Sequence, residues 1–175
     1  MATNIKHICL ALFGFALAAC STAPEVQTTT VYLVRHAEKV TGEALSALPD
    51  ANDPPLTTAG AQRAEQLAEL LVEADIEKIW STDTIRTRDT AQPLADRLGL
   101  PIEIYDASDL SAFAQILKDD PMTALIVGHS NTTPNLAESL GANPGAPIVE
   151  ATEYNRLYVI DLASGDGEIQ RFGAD

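Results

Sequence analysis

Thr30-Val31-Tyr32-Leu33-Val34-Arg35-His36-Ala37-Glu38-Lys39 changes character at its midpoint. The first half is a short β-branched and apolar run, the pattern of a strand buried on both faces. The second half sets an arginine, a histidine and two further charged residues directly at the end of that run. A buried strand that ends in ionisable side chains is typical of open α/β sheets. In these, ligands gather beyond the carboxyl ends of parallel strands.

The rest of the chain supports such a sheet. Residues 41–55 contain Gly42, Pro49, Asn52, Asp53, Pro54 and Pro55 and read as loop. Thr57 or Thr58 can cap a helix running to Glu73, with Ala61, Ala64, Leu67, Ala68 and Leu71 on one face. A second strand over 78–81 precedes a helix over 84–98, which Gly99 terminates. A third strand spans 102–105, a third helix 109–118, a fourth strand 123–127 and a short helix 134–140. Segments 157–162 and 168–172 flank Ser164-Gly165-Asp166-Gly167, a hairpin signal. The expected fold is α/β: a three-layer α/β/α sandwich on a mainly parallel sheet, with an antiparallel C-terminal strand pair.

Four strand ends then fall along one edge. They carry Arg35 and His36; Thr82, Asp83 and Arg86; Asp106; and Gly128, His129, Ser130 and Asn131. The chain has three histidines, and this edge receives two of them, beside two arginines. With a net charge of −14, the protein is unsuited to non-specific nucleic-acid binding. An anionic substrate therefore needs arginines concentrated locally. Imidazole is a competent nucleophile toward phosphorus. Phosphoryl transfer otherwise asks for alignment and for neutralisation of the equatorial oxygens, which the arginine fork supplies without any metal or cofactor.

Three segments, in order, carry a family resemblance. Val34-Arg35-His36-Ala37-Glu38-Lys39, then Ser81 to Ala91 with its Arg86-Thr87-Arg88-Asp89-Thr90-Ala91 run, then Val127-Gly128-His129-Ser130-Asn131 resemble the three motifs of the histidine phosphatase (phosphoglycerate-mutase-like) superfamily. The resemblance covers nearly all of residues 30–175. It implies that His36 is the phosphate-accepting nucleophile, that Arg35 and Arg86 hold the phosphoryl oxygens, and that His129 completes the phosphate pocket. The short segment between Ala91 and His129 is similar to the short branch, which implies an open pocket and hydrolysis rather than mutase action.

The proton donor lacks its usual context. Asp106 is the first candidate; Asp109, Glu43 and Asp53 are the others, although Asp109 also suits the first turn of a helix. Arg88 is expected to pair with Asp89 or Asp96 at the surface, Arg63 to be a solvated helix residue, and Glu38 and Lys39 to orient the first loop or decorate a helix. The expected function is a metal-independent phosphatase for phosphomonoesters or phosphoramidates. The alternative is an inactive phosphate-binding envelope protein on the same fold.

The N-terminus sets the expected location. Lys6 precedes an apolar stretch over 8–19, too short for a membrane span and suited to a signal peptide over 1–19. Leu17-Ala18-Ala19-Cys20 resembles a bacterial lipobox, which implies acylation of Cys20. An ordinary secretory leader with a coincidental cysteine is the plainer alternative. Residues 20–29 read as a polar tether, and no aspartate follows Cys20 to retain the protein at the inner membrane. The expectation is a periplasmic enzyme, joined to the outer membrane by its N-terminal lipid alone. Its substrate would be a phosphorylated small molecule or an envelope glycolipid. Cys9 lies in the leader and Cys20 carries the lipid, so the mature domain holds no thiol for disulfides, catalysis or metal.

Overall fold

Ala124–Gly128 is buried at all five positions, and it forms the strand on which the computed structural model is organised. The structure describes residues 28–173; the leader, Cys20 and most of the tether lie outside them. In chain order the elements are β1 (Thr30–Arg35), α1 (Thr58–Leu71), β2 (Lys78–Ser81), α2 (Ile85–Leu98), β3 (Ile102–Ile104), α3 (Leu110–Asp119), β4 (Ala124–Gly128), α4 (Thr132–Leu140), β5 (Arg156–Asp161) and β6 (Gly167–Arg171). The sheet order is β3-β2-β4-β1-β5-β6. β1, β2, β3 and β4 run parallel, while β5 and β6 are antiparallel to their neighbours.

Alternation along the strands splits the core between two faces. Val31, Leu33, Ile126, Tyr158 and Ile160 pack with Phe113, Leu117, Leu136 and Leu140 of α3 and α4. Val34, Ile79, Leu125, Val127 and Leu157 pack with Leu67, Leu71, Ala91 and Leu94 of α1 and α2. Helices thus cover both faces of the sheet, the three-layer α/β/α arrangement expected from the strand–helix alternation.

Several boundaries differ locally. Residues 42–47 of the first loop form a 3-10 helix, and Lys39 pairs with Leu56 in an isolated bridge that closes the loop. α4 starts at Thr132, ahead of Pro134, because the Thr132 hydroxyl accepts from the His129 N–H. Pro134 is tolerated there, since N–H groups of a first turn have no helical partner. α1 and α2 end their neighbouring loops as expected: the Thr57 hydroxyl accepts from the Gly60 N–H, and Gly99 takes the left-handed conformation at φ +66°.

Register places the chemistry. Arg35 lies opposite Gly128, and Ser81 opposite Val127. The His36 N–H then donates to the Gly128 carbonyl at 2.9 Å, and the Thr82 N–H to the Val127 carbonyl at 3.3 Å. Three parallel strands end in step, so the loops they release begin side by side. Gly60 locks the first of these loops to α1: a Cβ there would lie 2.2 Å from the Glu38 carbonyl oxygen. Only glycine permits so close an approach.

Candidate active site

His36 and His129 face each other with ring centroids 5.4 Å apart and planes at 69°. His36 is 3% exposed. Its Nδ1 lies 2.8 Å from the Ala37 carbonyl oxygen. A carbonyl can only accept, so Nδ1 carries the proton and Nε2 the free lone pair. Burial drives the His36 pKa down to about 3; the Ala37 hydrogen bond opposes this, while Arg35, His129 and Arg86 add to it. His129 is lowered to about 4, first by burial and then by Arg86, Lys39 and Arg35, with Glu150 opposing. Its Nε2 lies 3.0 Å from the Thr82 hydroxyl. The Thr82 proton goes to Thr87, so His129 is the donor in that pair.

Arg35 is buried and Arg86 half-buried, and each has donors left over. Arg35 is 2% exposed. Its Nη1 donates to the Glu153 carbonyl at 3.1 Å, and its guanidinium lies 4.1 Å from the centre of the Tyr154 ring. Arg86 reaches Asp53 through Nη1 at 3.3 Å. Arg35 Nε and Nη2 and Arg86 Nε are buried and have no hydrogen-bond partner among the described residues. Arg35 Nη2 has only a loose ionic contact with Glu150, at 3.9 Å. Unpaired guanidinium donors are costly in a fold that otherwise satisfies its buried polar groups. Donors of this kind can pair with an oxyanion.

The family comparison agrees with this geometry. The histidine phosphatase superfamily (branch 1) model matches residues 31–108. That match takes in the first two of the three motif segments, up to the turn after β3. The His129 loop lies beyond the matched segment, where the parallel register brings it to His36. The probable phosphoglycerate mutase GpmB of Escherichia coli O1:K1 / APEC is 42% identical over 77 residues, which are 44% of this chain and 35% of that protein. The chain thus matches about a third of that relative's length. Among solved structures, the protein histidine phosphatase SixA complexed with tungstate has a TM-score of 0.61 at 21% identity, over 83% of this chain and 96% of that one. A mycobacterial glucosyl-3-phosphoglycerate phosphatase also scores 0.61, at 13% identity, over 85% of this chain and 100% of that one. At these identities the likeness is one of fold.

The structure brings Arg35, His36, Arg86 and His129 together, while the expected carboxylates scatter. Asp106, the first candidate for proton donor, is solvent-exposed, and its carboxylate accepts from the Ser108 N–H at 2.8 Å. It closes its own turn and contacts none of the four groups. Asp109 caps α3 by accepting from the Ala112 N–H, and Glu43 is exposed on the 3-10 helix. Asp53 does reach the site, but as an acceptor from Arg86 Nη1 and the Ile85 N–H. It caps α2, whose own N-cap residue Thr84 makes no side-chain cap.

Two surface assignments also change. Arg88 pairs with Asp83 rather than Asp89 or Asp96, since one helical turn brings it back over the strand end. Arg63 is not solvated: it forks onto Glu38 through Nε and Nη2 at 2.8 to 3.0 Å, and Glu38 thereby ties the first loop to α1. Tyr154 and Glu150 had no sequence signal. Both come from the loop between α4 and β5, remote in sequence from every motif.

The depressed histidines make stability depend on pH in a definite direction. An unfolded chain protonates each histidine near pH 6.5, whereas the folded site does so only near 4 for His129 and 3 for His36. Between those limits the unfolded state binds more protons, so stability is lost as pH falls from about 6.5 toward 3. Thermal melts at pH 7 and pH 4.5 should show this loss in the wild type and a smaller one in His36→Asn/His129→Asn. Equal losses in both proteins would refute the assignment.

Proposed function

We propose that the protein is a metal-independent phosphatase that hydrolyses phosphomonoesters or phosphoramidates through a phosphohistidine at His36. The observation that carries this reading is the conjunction of an unprotonated His36 Nε2 with the three unpartnered guanidinium nitrogens of Arg35 and Arg86. Nε2 attacks phosphorus in line with the leaving group. The arginines neutralise the equatorial oxygens as charge redistributes, and His129, whose Nε2–H rests on Thr82 in the free protein, lines the opposite wall. The solved SixA neighbour holds tungstate, an oxyanion of the same shape class as phosphate, and the free donors here suit such a guest.

The purified domain, mixed with radiolabelled aryl phosphate in EDTA and quenched in alkali, should yield acid-labile phosphohistidine. Oxyanion binding without any labelled protein would instead leave an inactive phosphate-binding module.

The same proposal includes an address. The signal-like segment over 1–19, the Leu-Ala-Ala-Cys run and the polar residues that follow support acylation at Cys20 and a periplasmic position on the outer membrane. Among the described residues, no helix is long and apolar enough to cross a membrane. Such an address brings phosphorylated small molecules or envelope glycolipids within reach as substrates. Cys20→Ser should move the full-length protein from the membrane fraction to the soluble one. Unchanged sedimentation would refute the anchor.

A further inference from the structure

Two carboxylates flank the phosphate pocket on separate loops, and their surroundings differ. Asp53 is saturated: both oxygens accept from the Ile85 N–H, and one also meets Arg86. It is built to hold Arg86 and the start of α2. Glu150 is loosely held. Its side chain is 67% exposed, one oxygen accepts from the Ser130 hydroxyl at 2.9 Å, and the other stands 3.9 Å from Arg35 Nη2. Ser130 is the residue after His129. Glu150 therefore sits at the mouth of the pocket, free to exchange protons with what enters.

The space beyond it fits a leaving group. A cleft of about 390 Å³ runs from Ser130 between Asn131 and Asn135 on one side and Pro144, Pro147 and Ile148 on the other. None of these six side chains is charged, an exception in so acidic a chain. Asn131 and Asn135 are one helical turn apart and exposed, and neither side-chain amide makes a hydrogen bond among the described residues. Free amides against proline rings suit hydroxyl groups.

We propose that Glu150 is the acid that protonates the leaving oxygen of an alkyl phosphomonoester, whose uncharged, hydroxyl-bearing alcohol lies in this cleft. The inference rests on the phosphatase reading above. As the His36 Nε2–P bond forms, the P–O bond breaks and its electron pair stays on oxygen. That oxygen takes the Glu150 proton and departs as the alcohol. The carboxylate then accepts a proton from the water that attacks phosphorus. The P–N bond breaks, and inorganic phosphate leaves with His36 restored.

In the free protein the Ser130 hydrogen bond lowers the Glu150 pKa, partial burial opposes it, and Arg35, Lys39 and His129 lower it further. A phosphoryl dianion seated on Arg35 cancels much of that positive field and adds negative charge beside the carboxyl. Both effects raise its pKa toward the working range of an acid.

The test is the dependence of kcat/KM on leaving-group pKa, from dinitrophenyl phosphate through phenyl phosphate to glycerol and hexose phosphates. Glu150→Gln should lose on the order of 100-fold on the alkyl esters but less than about tenfold on the dinitrophenyl ester, and its kcat should lose the alkaline limb of the wild-type profile. Asn135→Ala should raise KM for a hexose phosphate about tenfold more than for phenyl phosphate. An equal loss across the series in Glu150→Gln overturns the acid role, and an equal KM change in Asn135→Ala overturns the cleft. If the wild type fails even on dinitrophenyl phosphate, the phosphatase reading falls instead. Glu150 is a surface residue, so a preserved melting temperature and a preserved tungstate-induced shift will show that the variant is folded.

Discussion

His36→Ala is expected to lower kcat/KM for an aryl phosphate by on the order of 10⁴-fold or more, the scale seen when a covalent nucleophile is removed. The imidazole sits where nothing can replace it. Its Nδ1–H is committed to Ala37, which leaves Nε2 as the lone pair between the unpartnered arginine donors and His129. Thr82 and Thr87 hold hydroxyls nearby but are bonded to each other, and residues 21–175 contain no cysteine. The variant should still bind tungstate, because both arginines remain, and its phosphoenzyme signal should vanish. Added imidazole should restore part of the turnover by filling the vacated space. Retention of activity within tenfold of wild type would exclude His36 as the phosphate acceptor.

Arg35→Met separates function from stability. Arg35 is among the largest fully buried side chains, and burial pushes its pKa down, with Tyr154, Glu150 and Glu153 opposing. A methionine keeps the packing of the stem. It forfeits one hydrogen bond to Glu153, about 1 kcal/mol, and a cation–π contact of about 0.5–2 kcal/mol. Against these losses it removes the desolvation cost of a charge whose Nε and Nη2 have no hydrogen-bond partner. The opposing terms are of similar size, so the melting temperature should shift by no more than a few degrees. Activity should fall by about 10³-fold, as for a lost transition-state donor in a preorganised site. The rise in melting temperature that tungstate gives the wild type should shrink to near zero, since ligand binding stabilises only in proportion to affinity. A collapse of the melting temperature by tens of degrees would show that Arg35 is a structural residue first.

Most of the fold was legible because its signals are local. The apolar runs at 31–34 and 124–127, the Thr57 cap and Gly99 each decide an element within a few residues. The parallel order follows from the strand–helix alternation. Boundaries moved where a side chain from elsewhere intervened, as when Thr132 started α4 early or Asp53 capped α2 from across a loop.

The clustering of four of the site's side chains was already readable along the chain. Arg35, His36, Arg86 and His129 each lie within a few residues of a strand end, and parallel register carries such positions to one edge. The remaining neighbours of that cluster depend on long-range packing. Asp106 also follows a strand, yet it turns outward and closes on Ser108. Glu150 and Tyr154 follow no strand of the parallel set, yet the fold of the loop before β5 lays them against Arg35. Strand ends are placed by backbone hydrogen bonds that a short stretch of sequence encodes. A loop side chain is placed by what it meets, here the Ser130 hydroxyl and a buried guanidinium more than a hundred residues away in the chain.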